Sequence, residues 1–273
     1  MKILFWKPTW VEYIENINGV GDVSYIDNEE KIHNLEYING FDVVIPLSIE
    51  QTYYTINKYV GKCKSIFLCE KNARNVDIFN NKIQFAIYMT DNDLTHYVPK
   101  TYMLCIDGIQ YECSTLIFPC VKKCAFGQGG NGVAIIDTID NINNLEKNYL
   151  IQEYIYSDNR KDYIVNFFVL DGDIISQMYY SDTSEKNSDF YIICGRLQNN
   201  KVVDLSHLNH HFNKVFKPIT YTGFACVDFK IMDGCIKIME VNPRLGGTIL
   251  GDEPNLKKFI NTTIEKYNIK LHF

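Results

Sequence analysis

The sequence predicts an α/β protein in three parts: a small parallel α/β domain over residues 1–90, a central unit over 91–155 and a C-terminal unit over 156–273, the last two built on antiparallel hairpins. Three observations carry this. Short apolar runs alternate with polar, helix-favouring stretches through the first ninety residues, the pattern of β/α units in a parallel sheet. Turn signals at Asp171-Gly172 and Asp233-Gly234 join neighbouring apolar runs into pairs. Near the C-terminal end, two alternating strands each carry acidic residues on a face otherwise free of them.

Within the first part, Lys2 to Trp6, Val23 to Ile26, Phe41 to Ile45 and Ser65 to Leu68 read as strands, with a helix from Gln51 to Tyr59. No glycine-rich fingerprint follows the first strand, which weakens a dinucleotide-binding reading. Residues 81–89 favour a helix, and Val98-Pro99-Lys100-Thr101-Tyr102 opens an extended segment. Phe118 to Lys123 and Val133 to Ile136 are strands around Gly127-Gln128-Gly129-Gly130-Asn131-Gly132, a hairpin whose tip lets backbone N–H groups close around phosphate oxygens. As a bland alternative it is a mobile surface hairpin. Leu150 to Ile155 is an apolar run carrying Glu153, Asp162 to Val169 and Ile174 to Tyr180 are strands, Leu205 to Phe216 is a helix, and Asn255 to Tyr267 closes the chain as another.

The bulk numbers exclude several functions. At 46% hydrophobic and 22% charged residues, the 273-residue chain has enough apolar material for a sizeable core. A formal charge of −6 offers no basic surface for nucleic acid or an anionic membrane. Nine cysteines without Cys-x-x-Cys spacing point to buried thiols in a reducing compartment, so a cytoplasmic location is expected. The apolar start ends at Lys7-Pro8, too short for a signal peptide or a span.

In the last hairpin, Val227, Phe229 and Ile231 form one row while Asp228 and Lys230 share the other; Glu240 and Asn242 lie on one face, roughly 6.5 Å apart. A two-residue Asp233-Gly234 turn would set Asp228 and Glu240 on opposite faces. A three-residue connection, Met232-Asp233-Gly234 with a G1 bulge, is therefore expected, because it unites Asp228, Glu240 and Asn242 as an all-oxygen set suited to a hard cation such as Mg²⁺.

Taken in order, Asn81-Lys82, Val98-Pro99-Lys100-Thr101, Pro119-x-x-x-Lys123 with the glycine loop, Gln152-Glu153-Tyr154-Ile155, Asp228-Phe229 and Glu240-x-Asn242-Pro243-Arg244 resemble the ATP-grasp superfamily, most closely its carboxylate–amine ligase branch. The resemblance covers nearly the whole chain. It implies an ATP-grasp fold, with the central unit as a lid, and ATP with two Mg²⁺ ions (or Mn²⁺) as cofactors. Lys82 and Lys123 match phosphate-binding lysines, with Lys122 a competitor for the second place. Gly127, Gly129, Gly130 and Gly132 match the lid loop; Glu153, Tyr154 and Ile155 the adenine-reading hinge; Asp162, or Asp158 in its stead, the ribose acid. Asp228, Glu240 and Asn242 match the metal ligands.

The implied reaction joins a small carboxylate to an amine through an acyl phosphate, releasing ADP and phosphate, with Lys123 and Arg244 at the chemistry and Arg244 holding a substrate anion. A phosphotransferase and a non-catalytic nucleotide-binding module are the alternatives. A homodimer is one option for an assembly the sequence leaves open. Arg196 reads either as a substrate contact or as a surface ion pair. His207, His210 and His211 read as surface histidines.

Overall fold

Parallel strands need both faces covered, and the near-continuous apolar runs of the N-terminal part fit that demand. The computed structural model describes residues 1–6, 22–26, 29–127, 129–142, 147–184 and 199–271. Strands β1 (Lys2–Trp6) and β2 (Asp22–Ile26), short helices α1 (Glu29–Ile32) and α2 (Leu35–Ile38), β3 (Val43–Pro46), α3 (Ile49–Lys58) and β4 (Ile66–Phe67) build a parallel sheet in the order β2-β1-β3-β4. Helix α3 begins where it does because Ser48 and Gln51 form a reciprocal capping box, satisfying backbone donors at the helix start. Two further helices, α4 (Ala73–Asn80) and α5 (Lys82–Asp91), abut at Asn81. Asn81 has extended backbone angles, and its side-chain oxygen accepts from Ile83 and Gln84 N–H. That cap makes Lys82 the first helical residue and leaves its own N–H to donate to the Ala125 carbonyl at 2.9 Å.

The central unit is an antiparallel sheet of β5 (Thr101–Ile106), β6 (Ile109–Glu112), β7 (Cys120–Cys124), β8 (Val133–Ile136) and β9 (Tyr149–Glu153), in the order β6-β5-β9-β7-β8. Strands β7 and β8 form the expected glycine-tipped hairpin, with Cys120 opposite Ile136 and Lys123 opposite Val133.

A second antiparallel sheet, β12-β11-β10-β13-β14, follows: β10 (Asp162–Leu170), β11 (Asp173–Asp182), β12 (Asn200–Val203), α6 (Asn209–Phe216), β13 (Gly223–Met232), β14 (Cys235–Asn242), then α7 (Gly247–Leu250) and α8 (Glu253–Leu271). One face carries Val165, Phe167, Val227 and Phe229 against Phe79, Phe212 and Phe216. Part of the other face, including Phe168 and Phe224, packs with Phe259 and Ile260 of α8 and with Phe5 and Ile45 of the parallel sheet. Its remainder is polar and largely buried, and it is there that functional side chains gather. The helix expected over 205–216 is a 3₁₀ turn at Ser206–Leu208 followed by α6.

The expected odd-length turn between β13 and β14 is not what joins them. Met232 pairs with Cys235, leaving a two-residue Asp233-Gly234 loop with φ of 52° and 73°, the geometry of a type I′ hairpin. The parity changes inside the strand instead: Phe229 pairs with Ile238 but Asp228 pairs with Glu240, so Met239 is an extra residue in a β-bulge. Asp228 and Glu240 thus share a face, as required, by a different device. Before the bulge Ile236 and Ile238 point into the core, and after it Val241 does; Met239 leaves the apolar row.

Where β13 begins, the C-terminal sheet touches the N-terminal unit closely. Glu70 is 4% exposed; one carboxylate oxygen accepts from Lys71 and Asn72 N–H at 2.8 Å and the other from Thr222 N–H at 2.9 Å. No helix among the described residues is long and apolar enough to cross a membrane.

Candidate functional site

Cross-strand pairing aligns three rows over the polar end of the C-terminal sheet. Asp162 faces Lys230 and Lys230 faces Lys237; Ile164 faces Asp228 and Asp228 faces Glu240; Asn166 faces Cys226 and Cys226 faces Asn242. Asp228, Glu240 and Asn242 therefore meet, and Asn242 Nδ2 donates to Glu240 Oε1 at 2.8 Å.

Lysines from the two other parts of the chain converge on this group. Lys82 Nζ lies 3.0 Å from Glu240 Oε2 and donates to the Gly127 carbonyl at 2.8 Å, so one ammonium joins the acidic cluster to the root of the glycine loop. Lys123, 7% exposed, donates to the Met239 carbonyl at 3.2 Å. The bulge that turns Glu240 onto the right face thus also offers Lys123 a carbonyl. Lys122 lies on the other side of β7, with its ammonium 5.8 Å from the centre of the Tyr149 ring. Of the two adjacent lysines, only Lys123 reaches the acidic cluster.

The electrostatics follow from burial and from these neighbours. Burial first, and then the Glu240 charge, push the Asp228 carboxyl well above the usual carboxylate range. For Glu240 burial pushes upward too, but the Lys82 ammonium, the Asn242 amide and Lys123 outweigh it and hold the group below its ordinary value. Of the two, Asp228 is the carboxyl for which burial and its neighbour favour the protonated form. Burial brings Lys123 down to about 8, with Glu240 partly offsetting the effect. Two buried carboxylates with an ammonium and an amide oxygen beside them fit a hard divalent cation, which would relieve the repulsion between them. Among the described residues no three His, Cys, Asp or Glu side chains cluster as a metal site; here two carboxylates meet, and the third oxygen is the Asn242 amide.

Glu153, at the end of β9, accepts from Lys100 N–H at 3.2 Å through its side chain, and its own N–H donates to the Lys100 carbonyl at 2.8 Å. Tyr154 and Ile155 are buried directly after it. The alternatives Asp158 and Asp162 part company in the structure. Asp158 accepts from Asp233 and Gly234 N–H at 3.1 and 3.2 Å and so caps the hairpin turn, whereas Asp162, 9% exposed, faces Lys230 at 3.5 Å.

Arg244, just beyond β14, donates through Nη1 to the Leu245 carbonyl at 2.8 Å and is half-buried beside the acidic group. Gly129, Gly130 and Gly132 of the loop all have positive φ; Gln128 lies outside the described residues, as does Arg196. His210 and His211 engage the His207 carbonyl and the Tyr97 hydroxyl respectively.

Three residues escaped the sequence reading. Fully buried Asn166 accepts from Gly246 N–H at 2.8 Å and pins the backbone after Arg244. Glu70 ties the parallel sheet to the start of β13. Lys230 had a signal, since it shares the Asp228 row, but no motif claimed it.

A family model for the ATP-grasp domain matches residues 80–248. No curated protein matches the chain. Among solved structures, the chain is similar to D-alanine–D-alanine ligase from Bacillus anthracis complexed with ATP, at a TM-score of 0.62 and 16% identity over 97% of both chains. Phosphoribosylamine–glycine ligase from Thermotoga maritima gives 0.63 and 13% over 92% of this chain and 71% of that one. N5-carboxyaminoimidazole ribonucleotide synthetase from the same organism gives 0.56 and 11% over 96% and 76%. At these identities the likeness is one of fold, and it extends across all three sheets. With the family match spanning well over half of its residues, this chain belongs to the ATP-grasp family.

Proposed function

We propose that the protein is an ATP-dependent ligase that joins a carboxylate to an amine through an acyl phosphate, releasing ADP and phosphate. The observation that carries this reading is the convergence of Asp228, Glu240 and Asn242 with Lys82 and Lys123, three oxygen ligands and two ammoniums drawn from three separate parts of the chain. Phosphoryl transfer demands such a set, because catalysis rests on positioning and on charge placed where it spreads over the transferred group.

In this reading Mg²⁺, held by Asp228, Glu240 and Asn242, supplies charge neutralisation at the phosphate oxygens. Lys82 and Lys123 add positive charge from the opposite side of the cleft. Backbone N–H groups of the loop at Gly127, Gly129, Gly130 and Gly132 cover the phosphates and limit access of water to an activated acyl group. Glu153, Tyr154 and Ile155 read the base and Asp162 holds the ribose. Arg244 orients the substrate carboxylate. The named ligases among the structural neighbours support this class of chemistry.

To test it, candidate acids are incubated with ATP and Mg²⁺, and hydroxylamine is added as the acceptor. Hydroxamate formed together with ADP is the expected result; an acid that is turned over with no hydroxamate points instead to a phosphotransferase.

A second expectation concerns pH. Phosphates bind the charged form of Lys123, whose ammonium is held at about 8 by burial. Nucleotide binding must therefore take up a proton above that pH, and affinity falls as pH rises through about 8, approaching tenfold per unit. Lys123→Met is expected to weaken binding and flatten this slope, as read by calorimetric titration from pH 7 to 9.5.

A further inference from the structure

Lys230 is buried, at 8% exposure, on the cleft face of β13 two residues beyond Asp228. Its Nζ donates to the Ile155 carbonyl at 3.2 Å and lies 3.5 Å from Asp162 Oδ1, and the ammonium sits 5.2 Å from the centre of the Tyr154 ring. These three groups belong to the segment leading from β9 into β10. An apolar side chain of similar length would fill this space without the desolvation cost of an ammonium. What the charge adds is geometry: a carbonyl, a carboxylate and a ring face are fixed relative to one strand position by interactions that strengthen as water is excluded.

We propose that Lys230 is a nucleotide-positioning residue, clamping Tyr154, Ile155 and Asp162 to the strand that carries Asp228. The proposal rests on the nucleotide reading given above. Residues 228 and 230 stand roughly 6.5 Å apart along β13. The segment that meets the base and ribose is thereby indexed to the acids that face the phosphates, and a nucleotide spanning both is held by one rigid element. Lys230 acts through the residues it holds, so its removal loosens the base and ribose end; at the phosphate end its like charge works against the charged form of Lys123, and removal relieves that.

Lys230→Met preserves length and most packing. The experiment compares wild type and variant for binding of ATP and of inorganic tripolyphosphate, each with Mg²⁺, by calorimetry, alongside thermal melting. The variant is expected to lose roughly tenfold to hundredfold in ATP affinity while tripolyphosphate loses none, the like charge beside Lys123 having been removed. Lys230→Gln, which keeps a donor for the Ile155 carbonyl, is expected to fall between the two, and its values decide should the Met variant fail to fold. ATP affinity unchanged in the variant overturns the proposal, as does a parallel loss of ATP and tripolyphosphate. A wild-type protein that binds tripolyphosphate no worse than ATP overturns the nucleotide reading together with the clamp, a result separable from the first because it appears before any substitution is made.

Discussion

Glu240→Gln is expected to lower ATP turnover by roughly a hundredfold or more, on the order of 3 kcal/mol of transition-state stabilisation. The carboxylate has two partners to lose. It faces Asp228 in the proposed cation site and it pairs with Lys82 at 3.0 Å, both side chains being largely buried. Removing one member of such a pair leaves an ammonium without its counter-charge, so the variant is also expected to melt lower. A double variant, Glu240→Gln with Lys82→Met, separates the effects: stability returns in part and turnover does not. Full turnover by Glu240→Gln would remove Glu240 from the cation site.

Asp228→Asn gives the contrasting result. Burial and Glu240 raise the Asp228 carboxyl well above its ordinary value, so folding takes up a proton there. The stability this contributes is present at low pH and lost as pH rises toward the raised value. Asparagine cannot ionise, so the variant is expected to lose turnover as severely as Glu240→Gln while its melting temperature at neutral pH holds or rises. By the same linkage, Mg²⁺ binding to the wild type is expected to release a proton, seen as a dependence of the calorimetric heat on buffer ionisation enthalpy.

The largest effect on stability is expected from Gly223→Ala. Gly223 has φ of +151°, and a Cβ there would lie 2.4 Å from the Glu70 nitrogen and 2.7 Å from the Cys69 carbonyl carbon. These are backbone atoms in a segment held by the buried Glu70 carboxylate and its bonds to Lys71, Asn72 and Thr222. Neither side can yield without losing hydrogen bonds, and a cost of about 3 kcal/mol or more is expected from the denaturation midpoint. Gly234→Ala is the control. It too has positive φ, +73°, but nothing lies within 4 Å of the added carbon, so only the backbone penalty of about 1–2 kcal/mol applies. Equal costs at the two positions would mean that the contact with Glu70 is not rigid.

Much of this is legible in the sequence. The parallel sheet, the glycine hairpin and the acids of β13 and β14 follow from periodicities of two and from turn residues, which are properties of single segments. What depends on two segments at once is not. The bulge at Met239 leaves no mark in β14 alone, since an extra residue is visible only against the partner strand. The choice between Lys122 and Lys123 needed Tyr149 and Met239, and the separate duties of Asp158 and Asp162 needed the hairpin tip and Lys230. Helix α4 was missed because its asparagines, arginine and aspartate obscure a narrow apolar stripe that packs Phe79 against Phe216 and Tyr221.

The Met239 bulge divides β14 into two blocks of different phase. Strand β13 keeps one register against β10 from Gly223 to Lys230, whereas in β14 the block Cys235 to Ile238 and the block Glu240 to Asn242 pair with β13 in registers offset by one residue. An added residue at the tip can be taken up by the Asp233-Gly234 loop, leaving the pairing of β13 with β10 and of Ile236 and Ile238 with β13 as it is. The same change at position 239 would carry Glu240 and Asn242 to the wrong side of the sheet and take from Lys123 the carbonyl it holds. Over evolutionary drift the tip is therefore the place where this hairpin can change length, and position 239 is the place where it cannot.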